Sequence, residues 1–214
     1  VQDYKRAFDG DLGPNTGGMG CYSPVPVFSA ELREEVIETI LKPTLEGLKS
    51  EGVTFRGVLY CGLMLTENGP KVVEYNARFG DPECQIIMPL LKGDIVPVLL
   101  ACAGVGERKL RDFTLEWRDE AAVIVVMAAS GYPASPRRGD TILGRGKVEN
   151  ALVFHAGTKL DGEKIVTNGG RVLGVTALGE SFEIARYKAY AAVEKISFEG
   201  AHFRRDIGWR AQSR

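Results

Sequence analysis

The sequence predicts an α+β fold, and three observations carry that prediction. Short strand-like runs are joined by glycine turns, at Thr66-Glu67-Asn68-Gly69 and again at Asn168-Gly169-Gly170, the mark of antiparallel hairpins. Apolar residues recur at three and four positions in two separate stretches, near residues 29–48 and 180–197, as amphipathic helices require. Between about Val105 and Glu120 the chain turns polar and irregular, which sets an expected boundary between one domain over residues 1–110 and a small α+β domain over 111–214.

Taken in order, the first expected element is a loop. Gly10 to Gly20 reads GDLGPNTGGMG, with five glycines and one proline in eleven positions, a composition that weakens any helix or strand interior. Ser29 then caps a helix whose Leu32, Val36, Ile40, Leu41, Leu45 and Leu48 share a face, with a kink expected at Pro43. Phe55–Leu65 and Pro70–Tyr75 form the first predicted hairpin. Asp81-Pro82-Glu83 opens a helical region to Leu91, and Lys92-Gly93-Asp94 separates it from a second apolar helix ending near Gly104. Beyond the boundary, Ala121–Ala129, Ala151–Gly157, Lys164–Thr167 and Arg171–Leu178 read as strands, the last two as a hairpin across Asn168-Gly169-Gly170. Glu180–Ser197 closes the chain as a helix with Phe182, Ala185, Ala189, Val193 and Ile196 on one face.

Composition narrows the partners. The chain has 214 residues, 44% hydrophobic, enough for an ordinary core. Its 27 Lys and Arg balance 28 Asp and Glu, so no field favours nucleic acid or an anionic membrane, and a small, locally recognised ligand fits better. Apolar runs such as Ala121–Ala129 fall far short of the roughly 20 residues a spanning helix needs. A soluble, cytoplasmic protein is expected. Cys21, Cys61, Cys84 and Cys102 are widely spaced and read as reduced thiols; His155 and His202 lack partners at metal-ligand spacing. The opening Val1-Gln2-Asp3-Tyr4-Lys5-Arg6 runs at once into the glycine-rich loop, so the chain is expected to begin inside a domain.

Three constellations could carry chemistry. Strand alternation puts Glu74, Asn76 and Arg78 of the segment VEYNAR on one face, and carboxylate and amide oxygens are hard ligands suited to Mg²⁺, though a solvated strand face has the same pattern. The small residues of Asn15-Thr16-Gly17-Gly18-Met19-Gly20 allow successive backbone N–H groups to face one concavity, as in anion sites, or form a mere turn. Asn168-Gly169-Gly170-Arg171 joins a glycine turn to a guanidinium, which suits a phosphate as well as a plain hairpin end.

The stretches QDYKR, GPNTGGMGCYSP and EYNARFGDPECQ, with VTNGGRVLGVTALG and FEGAHFRRDIGWRA, resemble glycinamide ribonucleotide synthetases, members of the ATP-grasp superfamily, in the family's order along essentially the whole chain. The family signature lies at Arg78-Phe79-Gly80-Asp81-Pro82-Glu83-Cys84-Gln85. The resemblance implies that residues 1–110 are the back part of an ATP-grasp domain and that the chain serves a ligase of purine biosynthesis. That ligase spends ATP to join glycine to 5-phosphoribosylamine through glycyl phosphate. By matching position, Glu74 and Asn76 would hold Mg²⁺ or Mn²⁺ on the ATP phosphates. Asp3, Lys5 and the loop Thr16, Gly17, Gly18, Met19 and Gly20 would line the acceptor site. Arg78 and Asp81 would hold glycine or the acyl phosphate, and Gly169, Gly170 and Arg171 would meet the ribose phosphate.

A further acidic metal ligand, carried upstream by many ATP-grasp relatives, has no counterpart at Cys61-Gly62-Leu63. The family's N-terminal domain and the lobe clamping adenine also have none, so the missing N-terminal half is an expected partner and the chain alone is expected to be inactive. Two other readings are a dead phosphate- or nucleotide-binding module and an ATP-grasp ligase with a different acceptor.

Overall fold

The unbroken apolar run AAVIVVMA demands burial on both faces, and the strand it forms, Ala121–Ala128, is buried at every residue. In the computed structural model, which describes residues 1–212, this strand is the centre of a five-stranded sheet. The order across it is Gln2–Asp3, Gly20–Ser23, Ala121–Ala128, Arg171–Gly179 and Leu152–His155, and every neighbouring pair is antiparallel. Alternation sends Val123, Val125 and Met127 to one face, where Ala185, Ala189, Ala192 and Val193 of the helix Phe182–Val193 cover them. Alanines at that spacing let helix and sheet approach closely. On the other face Ala122, Ile124 and Cys21 meet Ile86 and Leu90 of the helix Cys84–Leu90. Ser181 starts the longer helix by accepting a hydrogen bond from the Ile184 N–H.

The chain divides into two compact units that interleave in sequence. The first comprises Val1–Val25, Asp81–Leu90 and the chain from Trp117 onward, and contains the sheet; the second comprises Pro26–Gly80 and Leu91–Glu116. In the second, Ser29 caps the helix Ala30–Val36 as expected, its side chain accepting from the Leu32 N–H. Pro43 has no N–H to donate, and the irregularity expected there is a wide π turn at Ile37–Leu41 before the helix resumes over Lys42–Ser50. The predicted first hairpin is present as Tyr60–Thr66 paired with Gly69–Asn76. The apolar helix Val96–Ala103 ends at Gly104 in the left-handed conformation. Few apolar side chains of this unit are buried: Val36, Ile40 and Leu91 are, whereas Met64 and Val73 of the hairpin are 58% and 65% exposed.

The α+β expectation holds, with two corrections. Lys164–Thr167 pairs with Thr158–Asp161 across Gly162, and Arg171–Gly179 pairs with the two sheet strands beside it, so Asn168-Gly169-Gly170 is a link and not a hairpin turn. Burial decides this, because a strand as apolar as RVLGVTALG is stabilised by neighbours on both edges. Within the glycine-rich stretch, Leu12–Asn15 is a short strand paired with Arg6–Phe8. An exposed two-stranded ribbon tolerates Gly13 and Pro14, which a central strand would not. All four cysteines are free thiols, and no helix among the described residues is long and apolar enough to cross a membrane.

Candidate active site

The loop Thr16–Met19 connects the exposed ribbon to the sheet strand Gly20–Ser23. Its amides are committed inside the protein: Thr16 N–H donates to Lys5 O, Gly17 N–H to the Tyr132 hydroxyl, Gly18 N–H to Thr16 Oγ1 and Met19 N–H to Tyr4 O. Of the two readings open for this stretch, these four residues therefore form a turn whose N–H groups are used internally, not a concavity of free N–H groups. What the loop offers is close backbone approach. A side chain at Gly18, whose φ is +118°, would meet Asp3 Oδ1 at 2.8 Å and Pro82 Cδ at 2.6 Å.

Asp3, under that glycine, accepts from the Tyr4 N–H at 2.8 Å and pairs with Lys5 Nζ at 2.9 Å. Burial pushes its carboxyl up to about 6; Lys5 opposes the shift and nearby Glu83 adds to it. Glu83 is itself buried, at 3% exposure.

Arg171 ties the loop to the start of the signature helix. Its Nη1 donates to Gly17 O at 2.9 Å and to Asp81 O at 2.8 Å, while Nη2 pairs with Asp81 Oδ2 at 3.2 Å. Asp81 Oδ1 also accepts from Gln85 Nε2 at 3.0 Å. Gln85 Oε1 is buried without a hydrogen-bond partner among the described residues, and Asp81, Gln85, Phe154, Arg171 and Leu173 line one cleft of the first unit. Gly170 lies against the Tyr132 ring, and Gly169 packs on the backbone of Gly157. The first unit thus brings together Asp3, Lys5, the glycine loop, Asp81 and Gly169 to Arg171.

The ribbon that delivers the loop is fastened by a wholly buried arginine. Arg204 donates to Asp206 through Nε and Nη2, to Asp11 Oδ1 at 2.9 Å and to Arg6 O at 3.1 Å. Burial opposes its charge, but the hydrogen bonds it donates to Asp206 and Asp11 prevail and raise its pKa.

Glu74, Asn76 and Arg78 belong to the second unit. Glu74 stands opposite Gly62 in the hairpin, where a side chain at 62 would lie 3.0 Å from Glu74 Cγ, so the glycine leaves the carboxylate room across the strand. Asn76 is the last residue of the strand, and Arg78 lies beyond it, donating to Phe79 O at 2.8 Å. The signature is thus divided between the units, Arg78 in one and Asp81 in the other. The hard oxygen donors of Glu74 and Asn76 fit a Mg²⁺-type ion that completes its shell with phosphate and water. Among the described residues no cluster of three or more His, Cys, Asp or Glu could enclose an ion alone.

Two histidines expected to be structural are so placed: His202 Nε2 contacts Ala7 O, and His155 sits between Arg145 and Thr158. Sequence reasoning missed Tyr132, Arg204 and the buried state of Glu83. For Tyr132 the only signal was an aromatic within the turn-rich stretch SGYPASPRRGD.

Residues 1–84 match the family model for the phosphoribosylglycinamide synthetase ATP-grasp (A) domain, and residues 122–210 match the model for that synthetase's C domain. The chain belongs to the phosphoribosylglycinamide synthetase family. It is 54% identical to the phosphoribosylamine–glycine ligase of Caulobacter vibrioides over 99% of its length and 50% of that protein's. It is 50% identical to the trifunctional purine biosynthetic protein adenosine-3 of Gallus gallus, over 99% of its length and 21% of that protein's. The crystal structure of the Thermotoga maritima phosphoribosylamine–glycine ligase matches with a TM-score of 0.80 at 44% identity, covering 97% of this chain and 50% of that one. The chain spans about half the length of its ligase relatives, and its antiparallel sheet and helices are those of an ATP-grasp enzyme.

Proposed function

We propose that the chain supplies the metal and acceptor sites of an ATP-dependent ligase joining glycine to 5-phosphoribosylamine in cytoplasmic purine biosynthesis. The observation that carries this reading is the convergence, within the first unit, of Asp3, the Thr16–Gly20 loop, Asp81, Gln85 and Arg171 around one cleft and its border.

In this reading Glu74 and Asn76 hold Mg²⁺ or Mn²⁺, which neutralises charge on the ATP phosphates when bound. Arg78 and Asp81 hold glycine or its acyl phosphate. The unpartnered Gln85 Oε1 accepts an N–H from the incoming amine. Arg171, with three of its five N–H groups already engaged, offers the remaining two to the ribose phosphate beside Gly169 and Gly170. Lys5 and Asp3 form the wall beneath the glycine loop. The domain division near residue 110 belongs to the same proposal, supported by family models that match on either side of it.

The chain alone is proposed to be inactive and to work with an N-terminal half carrying the rest of the ATP site. The apolar side chains left exposed on the second unit, Met64 and Val73 among them, support a covering partner. The test is glycine-dependent ADP release with freshly made 5-phosphoribosylamine and Mg²⁺, on this chain alone and with the N-terminal half added. Turnover only in the mixture supports the ligase. No turnover in either, with both parts folded and associated, would leave a binding module.

A further inference from the structure

The Gly17 peptide is gripped from both sides. Its N–H donates to the Tyr132 hydroxyl at 3.0 Å, and its carbonyl accepts from Arg171 Nη1 at 2.9 Å. Tyr132 is itself seated: a side chain at Gly170 would lie 2.2 Å from its Cδ2, so the ring fills the space that the glycine leaves. Its loop is braced by Tyr132 N–H to Ala129 O, Ser135 N–H to Gly131 O and Arg137 N–H to Ser130 O. Gly170 is fixed in turn, its carbonyl accepting from the Ala129 N–H. The two glycine features that the sequence marks independently, at 16–20 and 168–171, are therefore joined by one phenol.

The consequence lies one residue further on. Gly18 lies directly over the Asp3 carboxylate, and the orientation of the Gly17 peptide sets where Gly18 sits. We propose that Tyr132 is a positioning residue of the acceptor site, holding the Gly17 peptide so that the Thr16–Gly20 loop and Arg171 keep one arrangement toward the amine substrate. The proposal rests on the ligase reading above. Its chemistry is separate from that of Glu74 and Asn76, so it concerns the acceptor and not ATP.

Tyr132→Phe keeps the ring on Gly170 and removes only the oxygen that receives the Gly17 N–H. In the complete enzyme, with the N-terminal half in the same or a second polypeptide, KM for 5-phosphoribosylamine is expected to rise roughly fivefold. KM for ATP and kcat should stay within about twofold. Tyr187→Phe, on a side chain 75% exposed on the helix Phe182–Val193, is the control and should change none of them. A KM for 5-phosphoribosylamine equal to wild type, or an equal rise in KM for ATP, overturns the proposal. Amide hydrogen exchange supplies a readout independent of turnover: the Gly17 amide should exchange faster in Tyr132→Phe than in wild type. If wild type lacks glycine-dependent turnover, the ligase reading fails. Exchange at Gly17 still decides whether Tyr132 holds the loop, and unchanged exchange refutes it.

Discussion

Arg204 and Asp206, two residues apart, form a two-pronged ion pair in which Nε meets Oδ1 and Nη2 meets Oδ2, both at 2.8 Å, with the guanidinium wholly buried. The fork geometry is one that only arginine supplies. The same carboxylate accepts from the Gly10 N–H at 2.8 Å, so the pair fastens the late segment of the chain to the early ribbon.

Removing the cation leaves Asp206 with no ion-pair partner and Asp11 with Arg210 alone, so Arg204→Ala is expected to destabilise the protein by about 3 kcal/mol. Arg204→Lys should recover less than half, because an ammonium cannot bridge both carboxylates. Asp206 gives the sign of the pH dependence: burial alone would raise its carboxyl, but Arg204 lowers it below the usual range. Stability from the pair is present above about pH 4 and is lost as pH falls through the lower folded value. Urea unfolding should show the mutational cost shrinking in acid. A cost independent of pH would mean that packing, not charge, holds the ribbon.

The metal assignment predicts that Glu74→Ala in the complete enzyme lowers Mg²⁺-dependent turnover at least about a hundredfold. Asn76→Ala should raise the metal concentration needed for half activity. Because both side chains sit at the end of an exposed hairpin, neither change should lower thermal stability appreciably. Full turnover in Glu74→Ala would remove this carboxylate from the metal site.

Asp3 carries a testable proton. Burial holds its carboxyl near 6, against an ordinary value of 3.8, so the folded protein binds this proton more tightly than the unfolded chain does. The stability linked to it is complete below about pH 4 and is lost as pH rises through about 6. Asp3→Asn has nothing to ionise and is expected to gain about 2–3 kcal/mol relative to wild type between pH 4 and pH 8. Denaturation curves at the two pH values measure this, and parallel behaviour of the two proteins would contradict it.

Two glycine-to-alanine changes should act in opposite directions. At Gly18 a methyl group meets Pro82 and the Asp3 carboxylate in a backbone conformation that side chains rarely adopt, and a loss of about 1–3 kcal/mol is expected together with loss of turnover. At Gly47, inside the helix Lys42–Ser50 with nothing within 4 Å, alanine should stabilise by about 0.5–1 kcal/mol. Thermal melts of both variants check the pair, and a destabilised Gly47→Ala would count against the helix as described.

What could be read from the sequence was whatever a short window decides. The Ser29 cap, the turn before Gly69 and the helix end at Gly104 each depend on neighbours within a few residues, and each stands where expected. The error at Asn168-Gly169-Gly170 came from a choice between near and distant partners. Adjacent segments suggested a hairpin, but Arg171–Gly179 is stabilised by strands about fifty and twenty residues earlier. The true local turn is Gly162-Glu163, between Asp161 and Lys164, with a positive-φ glycine at its first position. Glu74 and Asn76 were singled out as candidates because alternation along one strand suffices to put them on one face. Tyr132 was not, because its hydroxyl meets Gly17 only after the chain returns from 115 residues away. Arg204 was hidden for the same reason, since a surface arginine and a buried one look alike until their carboxylates are in place.

The pairing of Gly20–Ser23 with Ala122–Val125 has a kinetic meaning. The sheet's second strand emerges from the ribosome about a hundred residues before its central neighbour, and all of Pro26–Gly80 is synthesised in the interval. Closing so long a loop before any reward is gained slows folding. During that wait the early strand has an unsatisfied edge and the glycine loop has no Tyr132 to shape it. Final shaping of the acceptor region therefore belongs to the last stage of folding, after the late segment has arrived.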